Sequence, residues 1–219
     1  MTDTIFNQIA PRYDFLNRLL SFGLDQSWRK HVVQFLPSKS NLQILDVATG
    51  TADLPILMLR KCQRVTWVTG IDKAVDMLQI GHHKIEDAAL DACIDLQTGD
   101  AHHLPFSDNS FDAVTVAFGL RNMHNKPQAL LEMMRVLRPE GRLIVLEFSM
   151  PHHPIIRALY LFYFRHILPL VGGIISGHYK AYRYLNQSVE NFSCPELAAM
   201  KAHPLSFGIA TIYVASKMA

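Results

Sequence analysis

Short apolar runs closed by acids or glycines alternate, through the middle of the chain, with stretches whose apolar residues recur every three or four positions. Gln43 to Ala48, Val65 to Ile71, Ile94 to Gln97, Phe111 to Phe118 and Arg142 to Phe148 have the length and apolar content of buried strands. Between them, Ala52 to Arg60 predicts one helix, and the face Ala74, Met77, Leu78 and Gly81 a second. A third carries Leu130, Met133, Met134 and Leu137, opened by Asn125 and Pro127 and closed by Gly141. Ile209 to Ser216 predicts a final strand. The alternation implies an α/β fold with a doubly wound, mostly parallel sheet.

Both flanks of this core have a different pattern. Before the first strand, Ile9, Tyr13, Leu16 and Leu19-Leu20 recur at helical spacing with Pro11 as a break. A turn at Ser21–Asp25 leads to a second helix carrying Trp28, Val32 and Phe35, stopped by Pro37. Residues 1–40 therefore predict a helical cap, either plain packing or a cover over a pocket with Tyr13 and Asp14 facing inward. After Ser149, Pro151 and Pro154 open an aromatic-rich helix in which Leu159, Phe162, Tyr163 and His166 share a face, ended by Gly172-Gly173. A further helix begins at His178. This 150–205 insertion reads as core packing, as a lid over an apolar ligand, or as an amphipathic contact with a membrane. Arg157, Arg165, His166 and Pro169 interrupt it, so no spanning helix is expected there. The whole reads as one domain of residues 1–219, with 41–149 as the ligand-binding core and 206–219 as the closing strand.

Polar residues cluster where the strands end. Leu45 to Leu54 passes from an apolar run through Asp46 and a Gly50-Thr51-Ala52 turn into a helix start at Asp53. Such a turn presents backbone N–H groups to a ligand. Asp72 closes the second strand 22 positions after Gly50. An acid about 20 residues past such a loop accepts hydrogen bonds from ribose hydroxyls, although Asp72 is also placed to cap the next helix. Asp100 follows the third strand, and Arg121 and Asn122 follow the fourth. Ligands of doubly wound sheets bind outside the carboxyl ends of the strands, so these residues converge on one crevice.

Composition narrows the classes. With 21 basic against 19 acidic residues, the formal charge of +2 gives no electrostatic case for nucleic acid. The three cysteines lack Cys-x-x-Cys spacing, which suits a reducing compartment. The 11 histidines form no ligand pattern, so no metal is expected. The start of the chain carries no signal-like pattern, and a cytoplasmic protein is expected. The turn holds one glycine where a dinucleotide fingerprint needs three, which disfavours a dehydrogenase.

Asp46 to Leu54 resembles motif I of the class I S-adenosylmethionine-dependent methyltransferases. More narrowly, the chain resembles the menaquinone/ubiquinone-biosynthesis C-methyltransferase family. The resemblance is carried by Ile9-Ala10-Pro11-Arg12-Tyr13-Asp14, Gly99-Asp100-Ala101, Leu104-Pro105-Phe106, Ala117-Phe118-Gly119-Leu120-Arg121-Asn122, Arg135-Val136-Leu137-Arg138-Pro139, Leu146-Glu147-Phe148-Ser149 and Tyr182-Arg183-Tyr184-Leu185. It implies a seven-strand Rossmann-like sheet, S-adenosylmethionine as cofactor, and methyl transfer to a ring carbon of a prenylated quinol. The short N-terminus resembles the dedicated menaquinone enzymes, so demethylmenaquinol is the leading acceptor. A ubiquinone-pathway benzoquinol, or another lipid or small molecule, stands as the alternative.

Carried onto this chain, the resemblance implies cofactor contacts at Asp46, Gly50, Thr51, Asp53, Asp72, Asp100, Ala101 and Ala117. A quinol carbon becomes nucleophilic once a ring hydroxyl loses its proton, so a fixed cation beside the oxyanion is needed. Arg121 is assigned that role, with a structural ion pair as its alternative, and Asn122 a bond to a ring oxygen or water. Tyr13, Asp14, Phe118, His178 and Tyr182 are assigned to the quinol. Ala52 and Glu140 stand where the family commonly has glycine, and Ala117 where it often has serine. The chain is also short between Ala199 and Leu205, which predicts a sixth strand reduced or absent. The expected partners are the quinol, a peripheral membrane contact through residues 155–175 and a second copy in a homodimer.

Overall fold

The computed structural model describes residues 2–176, 179–195 and 200–218, with side chains described for 10–175, 184–195 and 200–218. Seven strands form one sheet in the order β3-β2-β1-β4-β5-β7-β6. They are β1 (Leu42–Val47), β2 (Val65–Asp72), β3 (Ile94–Thr98), β4 (Phe111–Ala117), β5 (Leu137–Phe148), β6 (Lys201–Leu205) and β7 (Ala210–Ser216). The first five pair in parallel, and β7 runs antiparallel to both β5 and β6. The order reverses between β1 and β4, which makes their carboxyl ends the switch point of the sheet.

Alternation along each strand splits the core into two layers. Ile44, Val68 and Ile144 pack to one face with Trp28, Met58 and Leu78. Leu45, Val114 and Val145 pack to the other with Leu130 and Met133. The first face is covered by α2 (Leu24–Val32), α3 (Asp53–Lys61) and α4 (Val75–Asp87), the second by α5 (Lys126–Val136). The Asn125 side chain accepts from Gln128 N–H and caps α5, as its position before Pro127 predicts.

Three local expectations are corrected. Pro11 does not break the first helix, because α1 runs unbroken from Thr2 to Leu20. Gly172-Gly173 does not end the aromatic helix, and Pro169 does not interrupt it. There α6 (Pro154–Phe162) passes through a π turn at Tyr163–Ile167 into α7 (Leu168–Ser176). The Leu168 N–H already bonds back to Tyr163 O at this wider spacing, so the ladder is offset where proline lacks its donor. The resulting run Pro154–Ile175 is 22 residues long and, by length and composition, apolar enough to cross a bilayer. One side of it is anchored to the domain instead: Tyr160, Phe164 and Leu168 are buried with Leu16 and Val189. The last helix, α8, spans Tyr179–Glu190.

The sixth strand is present and short. Lys201–Leu205 pairs along β7 at the sheet edge, where Pro204 is tolerated for want of a second neighbour. These residues, assigned from sequence to the end of the helical insertion, belong to the sheet. Both departures from glycine fall on left-handed backbone, Ala52 at φ 61° and Glu140 at φ 64°. The preference for glycine there is conformational.

Candidate active site

Two cavities open at the carboxyl ends of the strands and share a wall made by Tyr13 and Phe118. The first, of about 330 Å³, lies over the β1–β2–β3–β4 ends. Its floor is the turn after β1, where Ala48 and Gly50 both take left-handed backbone, at φ 55° and 57°. At Gly119 a Cβ would stand 2.5 Å from Ala48 Cβ, so only glycine lets the β4 loop approach the turn this closely.

Asp72 stands at the wall of this cavity. Its Oδ2 accepts the Gly50 N–H (2.8 Å) and its Oδ1 the Ala74 N–H (2.8 Å). Asp72 is not the cap of the next helix, whose N-cap is Ala74; it pins the turn and the Ala74 N–H from two residues before and borders the ligand space. Across the cavity, Asp100 accepts the His102 backbone N–H (2.9 Å) and contacts His102 Nδ1 (2.6 Å), while Lys73 Nζ lies 2.8 Å from its other oxygen. Burial pushes the Asp100 carboxyl up, but the Lys73 and His102 bonds outweigh it and hold the group well below the usual carboxylate range. Asn125 N–H donates to His102 Nε2 (3.3 Å), which assigns the ring proton to Nδ1, toward Asp100. Ala101 and Ala117 complete the predicted lining, and Asn122, assigned from sequence to the quinol, borders this cavity as well. The sequence reading missed Lys73, Met77 and His102. It placed His124 on a loop surface, whereas this exposed ring also borders the cavity and packs on His102, ring centroids 3.8 Å apart.

Four predicted contact residues line neither cavity. Asp46 is buried beneath the turn, accepting the hydroxyls of Thr49 (2.7 Å) and Thr115 (2.5 Å). Burial lifts its carboxyl to about 6 against those two bonds. Thr51, Asp14 and Asp53 instead join one polar knot around Lys84. Thr51 Oγ1 donates to Asp14 Oδ1 (2.7 Å), and Lys84 Nζ reaches Asp14 Oδ2 (2.7 Å) and pairs closely with Asp53. The knot ties α1 to the start of α3 and to α4. These residues shape the site from behind because each has charge or hydrogen-bond partners facing away from it. His178 lies outside the described residues. Tyr182 falls on α8, with its side chain outside them.

The second cavity, of about 180 Å³, is apolar and lies between α1, α2 and the α6–α8 helices. Phe118, Phe148, Tyr160, Phe164 and Trp28 form its aromatic walls. Two buried ion pairs border it. On α2, Arg29 Nη1 donates to Asp25 Oδ2 (2.6 Å), and its guanidinium carbon sits 5.2 Å from the Phe118 ring centroid. After β4, Arg121 Nη1 donates to Glu147 Oε1 (2.8 Å) and closely to Phe118 O, and its own backbone N–H reaches Glu147 Oε2 (3.1 Å). Glu147 is 0% and Arg121 5% exposed. Arg121 is therefore in the structural ion pair that was its alternative reading, and it also lines the cavity. Tyr184 Oη donates to Asn122 Oδ1 (3.2 Å), linking the walls of the two cavities. Burial raises the Tyr13 phenol above its ordinary range against the opposing pull of Arg121 and Arg29. Trp28, Arg29 and Asp25 were not legible as site residues, because on sequence alone α2 is an ordinary amphipathic helix.

Solved structures with this fold include an S-adenosylmethionine-dependent methyltransferase described as putative, from Methanococcus maripaludis. It aligns with a TM-score of 0.65 at 15% identity over 96% of this chain and 92% of that one. The [4+2]-cyclase SpnF aligns with a TM-score of 0.69 at 17% identity, over 98% and 94% of the two chains. At such identities they speak for the fold alone. Sequence relatives are much nearer. The demethylmenaquinone methyltransferase of Thermus thermophilus is 47% identical, covering 97% of this chain and 100% of its own. The ubiquinone/menaquinone biosynthesis C-methyltransferase UbiE of Geotalea daltonii is 42% identical over 97% of this chain and 94% of its own. The model of the ubiE/COQ5 methyltransferase family matches residues 2–213. With the strand-end cavity, the Asp72 and Asp100 pair and Arg121 all in place on a seven-strand sheet, the chain belongs to the ubiE/COQ5 methyltransferase family.

Proposed function

We propose that this protein transfers a methyl group from S-adenosylmethionine to a ring carbon of a prenylated quinol, with demethylmenaquinol as the acceptor. The observation that carries the reading is the shared wall. A strand-end cavity bordered by carboxylates and an aromatic cavity abut at Tyr13 and Phe118, so a donor in one and an acceptor in the other would meet at that common border. The match to the Thermus thermophilus enzyme along its whole length favours the naphthoquinol form.

The first cavity suits the donor. Asp72 has its carboxylate at the wall for ribose hydroxyls, Asp100 and Ala101 flank the adenine end, and the left-handed Gly50 turn leaves room for the methionine chain. When bound, S-adenosylmethionine supplies an electrophilic methyl group. The protein's part is to orient the acceptor, keep water away and hold charge. The permanently charged Arg121 guanidinium, fixed by Glu147 and Phe118 O, stabilises the ring oxyanion. The fixed geometry means no reorganisation is needed as charge develops. Asn122, held by Tyr184, bonds a ring oxygen or an ordered water at the boundary of the cavities.

Turnover of demethylmenaquinol with labelled S-adenosylmethionine tests this. Arg121→Lys keeps a charge opposite Glu147 but loses the planar fork, and is expected to lower kcat roughly a hundredfold while donor affinity holds. Equal loss of both would overturn the assignment. A wild-type preference for benzoquinol over naphthoquinol acceptors would favour the ubiquinone-pathway alternative.

The isoprenoid tail has to come from a bilayer, and the outer side of the α6–α7 run supports a peripheral contact. Leu159 is 67%, Phe162 61% and Ile174 76% exposed, with Phe22 beside Tyr163 at the tip of α1. Phe164 points inward and is no part of that surface. Leu159→Asp together with Phe162→Asp is expected to abolish co-sedimentation with anionic liposomes without changing turnover of a short-chain quinol. Unchanged sedimentation would refute the contact. A cytoplasmic enzyme with this peripheral attachment is the localisation that follows.

A further inference from the structure

The aromatic cavity holds two buried polar groups with nothing to bond. Tyr160, on α6, is 8% exposed, and its hydroxyl has no hydrogen-bond partner among the described residues. Arg121 spends Nη1 on Glu147 and Phe118 O, but its Nε is also buried and without a partner among the described residues. Both residues line the same cavity. They come from distant parts of the chain, one from the loop after β4 and one from the helical insertion. A buried donor left unmade costs free energy, and two such donors on residues bordering one apolar space form a gap in an otherwise satisfied site.

Two other aromatic hydroxyls around this cavity show the contrast. Tyr163 Oη donates to Leu20 O (2.9 Å), and Tyr184 Oη to Asn122 Oδ1 (3.2 Å). Tyr160 has a stacked neighbour, the Phe164 ring 4.9 Å away, that fixes the ring and gives the hydroxyl no acceptor. Packing alone would be served as well by phenylalanine. The hydroxyl has a use only if a ligand brings an oxygen.

The geometry points to Tyr160 Oη and Arg121 Nε as the paired donors for one ring oxygen of the quinol, the oxygen that carries negative charge when the adjacent carbon is methylated. The assignment rests on the quinol reading of this cavity and adds Tyr160 to it as a substrate-binding and oxyanion-stabilising residue. Burial keeps the phenol protonated far into the alkaline range, so it remains a donor wherever the enzyme works. Two donors on one oxygen lower the proton affinity of the quinol in the site. They also orient its ring against Phe118, the wall nearest the methyl donor.

Tyr160→Phe separates this role from a structural one. The variant deletes a hydroxyl that bonds nothing in the free protein, so its thermal midpoint is expected to stay level or rise. On short-chain demethylmenaquinol its kcat/KM is expected to fall roughly tenfold, with S-adenosylmethionine affinity by calorimetry unchanged. The acid limb of its pH–rate profile is expected to move up by as much as about one unit, the equivalent of that tenfold. Wild-type kinetics and an unshifted pH profile in a folded Tyr160→Phe protein would overturn the assignment while leaving the quinol reading intact. A wild-type enzyme that methylates neither naphthoquinol nor benzoquinol would overturn both.

Discussion

The two cavities sit side by side and are built in opposite ways. The donor-side cavity is lined mainly by residues at or just after strand ends: Ala48 and Gly50 after β1, Asp72 and Lys73 at β2, Gly99 to His102 after β3, and Ala117, Phe118, Gly119 and Asn122 at the end of β4, with Tyr13 and Met77 from α1 and α4. Each strand-end group is nearly contiguous in sequence, and its position follows from its own strand and turn. The acceptor-side cavity draws on residues from 13 to 209: one side comes from α1, α2 and the turn between them, the rest from the β4 and β5 ends, α6, the π turn, α7, α8 and the entry to β7. No single segment of the chain encloses it. Its polar content also differs. On the donor side, carboxylates are satisfied by backbone N–H groups and by half-exposed cations such as Lys73. On the acceptor side, charge among the described residues takes the form of the buried pairs Arg29–Asp25 and Arg121–Glu147. A strand-end turn can be kept through local geometry, whereas an aromatic pocket holding buried charge depends on many partners at once.

That contrast can be broken most severely at Glu147. Glu147→Ala leaves Arg121 buried without its carboxylate, and urea unfolding is expected to show a loss of about 3–5 kcal/mol. A double variant, Arg121→Met with Glu147→Leu, should regain most of it while remaining inactive, since a buried pair contributes little net stability over apolar packing. If the single substitution proves mild, the acceptor side is less cooperative than the contacts imply.

On the donor side the expected effect is smaller and confined to binding. Asp72→Ala removes the acceptor for Gly50 N–H and Ala74 N–H, and donor affinity by calorimetry should fall by roughly 10–100-fold. Binding of an oxidised quinone, followed by quenching of Trp28 fluorescence in the other cavity, should stay within about twofold, the mark of separately built sites. Coupled loss of both would dissolve the distinction.

The finest test uses the buried acid beneath the turn. The Asp46 carboxyl is raised from 3.8 to about 6 by burial. The folded protein therefore holds this proton more tightly than the unfolded chain does. The stabilisation is full below about pH 4 and is lost as pH rises through about 6. Relative to Asp46→Asn, the wild type should lose roughly 1–3 kcal/mol between pH 4 and 8 in paired urea titrations. A flat difference across that range would mean the Thr49 and Thr115 hydroxyls already hold the charged form.

Much of the donor side was legible before any fold was known. Gly50, Asp72, Asp100, Ala101 and Ala117 all line the cavity. The reading went too far at Asp46, Thr51, Asp53 and Asp14, which share the motif's neighbourhood but face Thr115, Lys84 or one another. Position in a motif fixes the turn a residue belongs to, while the direction of its side chain depends on where partners stand. Lys84 lies 31 residues beyond Asp53, on a different helix, and nothing local announces that pairing. Pro11, Pro169 and Gly172-Gly173 misled in the other direction, since tertiary packing carried α1 and α7 straight through them.

The sequence by itself determined the strand–turn–helix rhythm, the strand-end cluster of acids and the family. Each depends on spacing along the chain and on residues within a turn of one another. The tertiary structure decided which polar groups face the ligand space and which tie helices together. It also decided that Trp28, Arg29 and Tyr160 enclose the aromatic cavity and that the outer side of the α6–α7 run is bare. Those outcomes follow from contacts between segments tens to more than a hundred residues apart, where packing and charge pairing, and no local periodicity, select the neighbours.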